Sequence, residues 1–145
     1  LLDNKMIPIH FVIPESKITK TKLDKTQEYG SIIPGDSGYK FDIEQEYYND
    51  YNKSYFGVTM KKAGWDCMRH YEILANKCIP YFTDLHECPT PTLTNLPKEL
   101  LIEARDLANN FNEQKYFSIL DELFEYTKSH LTTKELAKYV LEKIA

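Results

Sequence analysis

Short apolar runs alternate with longer polar stretches along this chain, and the spacing of the apolar positions predicts its elements. Residues 7 to 13, IPIHFVI, form a β-branched run closed by Pro14 and read as a buried strand. The lysine-rich stretch ESKITKTKLDKTQEYG that follows has no apolar period and predicts no element. A second run, SIIP at 31 to 34, is cut off by the turn sequence PGDSG and reads as a second strand. From 41 to 52, apolar or aromatic residues at 41, 43, 47, 48 and 51 keep helical spacing and leave the acids to water. SYFGVTM at 54 to 60, dense in aromatic and β-branched residues, reads as a third strand.

GWDCMRHYEILANK at 64 to 77 reads as a helix, with Asp66 in the first turn, where a carboxylate suits the positive end of the helix dipole, and Lys77 in the last. Its helical projection puts Cys67, Tyr71, Leu74, Ala75 and Cys78 on the core face. Arg69, Glu72 and Asn76 fall along a flank, and Asp66, His70, Ile73 and Lys77 point nearer the outer centre. CIPYF at 78 to 82 is the fourth strand. Pro97 opens a helix with apolar residues at 100, 101, 104, 107, 108 and 111. Helices at about 113 to 129 and 132 to 145 follow, the last opened by the capping sequence TTKE. Strands alternating with helices, then a helical tail, predict an α/β domain around a small parallel sheet of about four strands.

Composition narrows the function. A chain of 145 residues with 42% hydrophobic content suits one domain with a single core. A net charge of −4 offers no overall basic field for a nucleic-acid backbone, which argues against general nucleic-acid binding. No apolar run approaches the roughly 20 residues of a membrane span, and the N-terminus lacks a signal-peptide pattern. The three cysteines, odd in number and without a C-x-x-C pair, fit the cytoplasm or another reducing compartment. Cys67, His70, His86 and Cys88 lack the paired spacing of structural zinc sites, so no metal is expected. The chain starts at Leu1 and enters an apolar segment almost at once, which reads as a C-terminal part of a longer protein.

The densest polar chemistry lies at the third strand's end. In a parallel strand-loop-helix unit the loop opens at the carboxyl edge of the sheet, where ligands collect. Lys61, Lys62 and Gly64 fall in that loop. The following helix start offers unpaired N–H groups and partial positive charge to phosphate oxygens. Glu72, at the edge of the buried face, needs a partner: a ribose diol, Arg69 by i,i+3 pairing, or a backbone group. Trp65 either stacks on a base or sugar or packs into the core.

Ser54-Tyr-Phe, Lys61-Lys62-x-Gly64, Arg69-x-Tyr71-Glu72-Ile-Leu-Ala and Cys78-Ile79-Pro80 together resemble the donor-binding half of GT-B glycosyltransferases, especially the exostosin-like enzymes. The resemblance spans about residues 54 to 84 and otherwise holds only in element order. It implies a Rossmann-like, three-layer fold and a nucleoside diphosphate sugar as donor. Glu72 would then bind the ribose hydroxyls, while Lys61, Lys62, Arg69 and Lys17 would neutralise the diphosphate without a metal. Gly64, Trp65, Asp66 and His70 become candidate sugar or base contacts. The acceptor and the general base would come from a preceding domain. Two positions depart from the family pattern: Lys77 stands where a glycine precedes CIP, and Gly64 stands where retaining relatives carry an acid.

Two rival readings come from the same residues. In one, Asp66, Arg69, His70 and Glu72 form a structural ion-pair network in a non-catalytic interaction module with a degenerate nucleotide site, and the aromatic residues 47 to 56 meet another domain. In the other, Cys67 is a nucleophile beside His70, but the sequence offers no third group to orient the pair.

Overall fold

A computed structural model describes residues 6–22, 24–36 and 40–145. Among them three parallel strands form one sheet in the order β1-β2-β3: β1 (Gln27–Tyr29), β2 (Ser54–Thr59) and β3 (Ile79–Phe82). Gln27 pairs with Ser54 and Tyr29 with Phe56, while Phe56 through Thr59 run in step with Ile79 through Phe82. Helix α1 (Glu44–Asn52) connects β1 to β2, and α2 (Met68–Ala75) connects β2 to β3. Three more helices follow: α3 (Lys98–Asp106), α4 (Glu113–His130) and α5 (Thr133–Ile144). Helices α4 and α5 match the sequence reading closely, whereas α3 stops at Asp106 and passes into a 3-10 turn over Leu107–Asn109, short of the expected residue 111. Thr132 caps α5 by accepting from the Glu135 N–H. None of the described helices is long and apolar enough to cross a membrane.

The sheet is smaller than the four strands expected, and its first strand lies elsewhere. Residues 7 to 13 touch no ladder beyond a single bridge from Ile13 to Thr132. The Phe11 N–H is taken by the Asp66 carboxylate, and Ile9 and Phe11 stay 65% and 50% exposed. Residues 31 to 34 form no strand either. Ser31 gives both its N–H and its hydroxyl to the buried Asp50 carboxylate, each at 2.7 Å, and Pro34 has no N–H to give. Part of the turn read at PGDSG lies outside the described residues. The real first strand, Gln27-Glu28-Tyr29, sits inside the polar stretch that predicted nothing. It is an edge strand with one neighbour, and such a strand carries polar alternation without cost.

Helix α2 is shorter than the span 64 to 77 and more deeply buried. Cys67 is extended (φ −160°, ψ 157°) and forms its N-cap, so Trp65 and Asp66 lie ahead of the helix and Asp66 is not in its first turn. Tyr71, Leu74 and Ala75 on the helix, and Cys78 just past it, are buried as their spacing implied. His70 and Ile73, which the projection turned outward, are also fully buried, because α2 lies against β2 and β3. Ile73 covers Gly57 on β2, and the His70 ring lies 4.5 Å from that of Phe82 on β3.

Where α2 ends, Lys77 adopts φ +50°, the conformation a glycine takes most easily. The Lys77 N–H donates to Leu74 O and the Cys78 N–H to Ile73 O, each at 3.2 Å, which closes the helix in a Schellman arrangement. Lys25 supports this junction from below. Its ammonium donates to Asn52 O (2.8 Å), Ser54 O (2.7 Å) and Lys77 O (2.5 Å), joining the ends of α1 and α2 to the start of β2. The carbonyl ends of two helices are suited to a cation. Desolvation pulls Lys25 down to about 8, which leaves it mostly charged at neutral pH.

Candidate functional site

The loop from Met60 to Cys67 leaves the carboxyl end of β2 and is tied down at two points. Both Asp84 carboxylate oxygens accept from the Lys61 N–H at 3.2 Å, and the Lys62 N–H donates to Gly64 O. Neighbouring loop residues then diverge. The Lys61 ammonium lies 5.4 Å above the Trp65 ring, whereas Lys62 turns toward the loop after β1, near Gly35. Past the loop, the first turn of α2 has no side-chain cap.

At this helix start lies a hollow of about 530 Å³. One wall carries Lys62, Cys67, Met68, Arg69 and Glu72; the other carries Ile32 and residues 41 to 44, with Tyr47 of α1. Two cations therefore share the space with Asp42, Glu44 and Glu72. The acids are partly engaged: Glu44 pairs with Lys17 at the rim, and the Glu72 Oε2 accepts from the Tyr47 hydroxyl at 2.8 Å. No ion pair joins Arg69 to Glu72, and among the described residues neither Arg69 nor Lys62 has an acidic partner within 4.0 Å.

The Tyr47 ring packs edge-on against Tyr51 at 5.0 Å and leans on Tyr48 and Phe41. Burial, with the Glu72 charge adding to it, raises the Tyr47 hydroxyl far above its ordinary value, so it serves as a fixed donor. Sequence spacing missed this residue. It shares helical phase with Tyr51, but nothing in α1 signals a carboxylate partner 25 positions later.

Apart from Cys67, which lines the hollow, the remaining sequence candidates lie outside it. His70 is enclosed: its Nε2 is 2.8 Å from Trp65 O, which can only accept, so Nε2 carries the hydrogen. Nδ1 must then accept from the Thr59 hydroxyl at 2.9 Å. Burial pushes this imidazole below its usual range and keeps it neutral. The Cys67 thiol is 3.5 Å from Nε2, but both ring nitrogens are already committed. Asp66 accepts from Phe11 N and from the Tyr71 hydroxyl, both at 2.9 Å. Trp65 is half-buried against Phe82, and a Cβ added at the exposed Gly64 would meet nothing within 4 Å. Lys17 reaches Glu44 without lining the hollow itself. Among the described residues no cluster of three or more His, Cys, Asp or Glu is placed to hold a metal ion.

A second hollow, about 340 Å³, lies between His10, Asn95, Tyr126 and α5, and none of the sequence candidates lines it. The first hollow is therefore the one that gathers the expected chemistry: an arginine, a lysine, a carboxylate and an open helix start, walled by Phe41, Ile43 and Met68. No protein-family model matches the chain, and no curated protein or solved structure matches it either.

Proposed function

We propose that the hollow at the start of α2 binds a nucleoside diphosphate sugar, and that the chain is the donor-binding domain of a glycosyltransferase that transfers a hexose. One observation carries this reading: Lys62 and Arg69, neither with an acidic partner among the described residues, line the same hollow as the uncapped first turn of α2. Guanidinium and ammonium groups without acidic partners, beside a helix start that no side chain caps, suit the oxygens of a diphosphate. In transfer, that field stabilises the negative charge gathering on the departing diphosphate, with no metal needed. Glu72 accepts from the ribose diol, and the apolar wall of Phe41, Ile43 and Met68 takes the base.

Lys61 and Lys17 hold no place in this assignment, since one lies over Trp65 and the other is paired with Glu44. The base that deprotonates the acceptor hydroxyl belongs to a preceding acceptor domain, so the isolated chain binds nucleotide and transfers little or no sugar. A second reading, a non-catalytic interaction module with a degenerate site, draws support from the acids: Asp42, Glu44 and Glu72 outnumber the two cations. Thermal denaturation with UDP, GDP, UMP and GMP separates the two. A bound diphosphate raises the midpoint by mass action, and more than the monophosphate does. No shift with any of the four favours the interaction module.

A further inference from the structure

We infer that Tyr47 is a positioning residue that fixes the Glu72 carboxylate for a ribose diol and thereby makes the hollow select ribonucleotides over deoxyribonucleotides. The inference rests on the nucleotide reading above and goes beyond it, because neither the sequence pattern nor the family resemblance points to α1.

Glu72 is not held in place by its own helix. It is half-buried at the wall of the hollow, on a side chain with several rotatable bonds, and Arg69 one turn before it does not hold it. A carboxylate free to swing recognises a diol poorly, since each lost rotamer opposes binding. Tyr47 removes that freedom. Its hydroxyl donates to Oε2 at 2.8 Å, and its ring is locked among Phe41, Tyr48 and Tyr51. The Tyr51 hydroxyl, 3.3 Å from that of Tyr47, extends the chain of hydroxyls into the fully buried part of α1. Among the described residues Oε1 has no partner, so one carboxylate oxygen is anchored and the other remains to accept from the sugar. A donor fixed by packing behind an acceptor that meets the ligand is the arrangement that gives a binding group its geometry.

Calorimetry with UDP, GDP and their 2′-deoxy counterparts tests this on four proteins: wild type, Tyr47→Phe, Glu72→Gln and the double variant. Wild type should prefer the ribonucleotide by about tenfold, the size of a hydrogen bond to a charged group. Tyr47→Phe, which removes one oxygen and leaves the ring, should erase most of that preference. The double variant should discriminate no worse than Glu72→Gln alone, because Tyr47 acts only through Glu72. The ratio of the two affinities on one protein is insensitive to a general loss of stability, which would weaken both nucleotides alike. A Tyr47→Phe ratio equal to wild type, beside a lost ratio in Glu72→Gln, overturns the role of Tyr47 and leaves the nucleotide reading standing. Absence of binding by every nucleotide to wild type overturns both.

Discussion

Ile73 of α2 rests directly on Gly57 of β2: a Cβ added at Gly57 would lie 2.8 to 2.9 Å from three side-chain carbons of Ile73. The helix that carries Arg69 and Glu72 is thus seated on the sheet at a point where only glycine fits. Gly57→Ala should cost about 1–3 kcal/mol, the usual penalty of overpacking, read as a lower urea midpoint. Adding Ile73→Val should recover part of the loss, since the two residues are in contact and their effects are not additive. Equal stability of Gly57→Ala and wild type would show that α2 is not so seated.

His70 makes stability depend on pH. Burial lowers its pKa in the folded protein below the free value of 6.5, with the Trp65 carbonyl and Asp66 opposing and Arg69 reinforcing the shift. As pH falls below 6.5 the unfolded chain takes up this proton before the folded one does, so the unfolded state gains. The stabilisation is complete above 6.5 and declines below it, by up to about 1.4 kcal/mol per pH unit. Denaturant midpoints followed by circular dichroism between pH 7.5 and 5 should therefore fall more steeply for wild type than for His70→Asn. Parallel profiles would contradict a buried neutral imidazole.

Lys77 holds a left-handed conformation at φ +50° without being glycine. Lys77→Gly should relieve about 1 kcal/mol of backbone strain. It also loses the ammonium 4.7 Å from the Phe124 ring, which contributes about 0.5 kcal/mol. The backbone carbonyl that Lys25 binds is unchanged, so the net effect should be a melting temperature higher by about 2 °C. A lower one would mean that the Lys77 side chain matters more than its backbone.

β2, β3 and the helices α1 to α4 were legible because each buries apolar residues that the sequence records, whereas α5, which has no buried residue, was legible from its capping sequence TTKE. Periodicity failed where other forces set the backbone. The apolar residues 7 to 13 looked like a buried strand, yet Phe11 is held by the Asp66 side chain rather than by a ladder. The edge strand at Gln27 buries too little to leave an apolar trace. His70 is a polar residue in a fully enclosed place, which spacing alone assigns to solvent. At the hollow, the strand-loop-helix order was enough to bring Lys62, Arg69 and Glu72 together. It could not separate Lys61 from Lys62, because consecutive loop residues have no fixed relative direction. Nor could it supply Tyr47 and Phe41, which reach the hollow only through the packing of α1 against α2.

The two cations at the start of α2 are the centre of this account, and titration calorimetry of UDP and GDP into wild type, Lys62→Ala and Arg69→Ala tests them most directly. At least one diphosphate should bind wild type, and each substitution should weaken it by about tenfold, as expected for loss of a charge-assisted hydrogen bond. No heat with either nucleotide, or an affinity that neither substitution changes, would contradict the proposal.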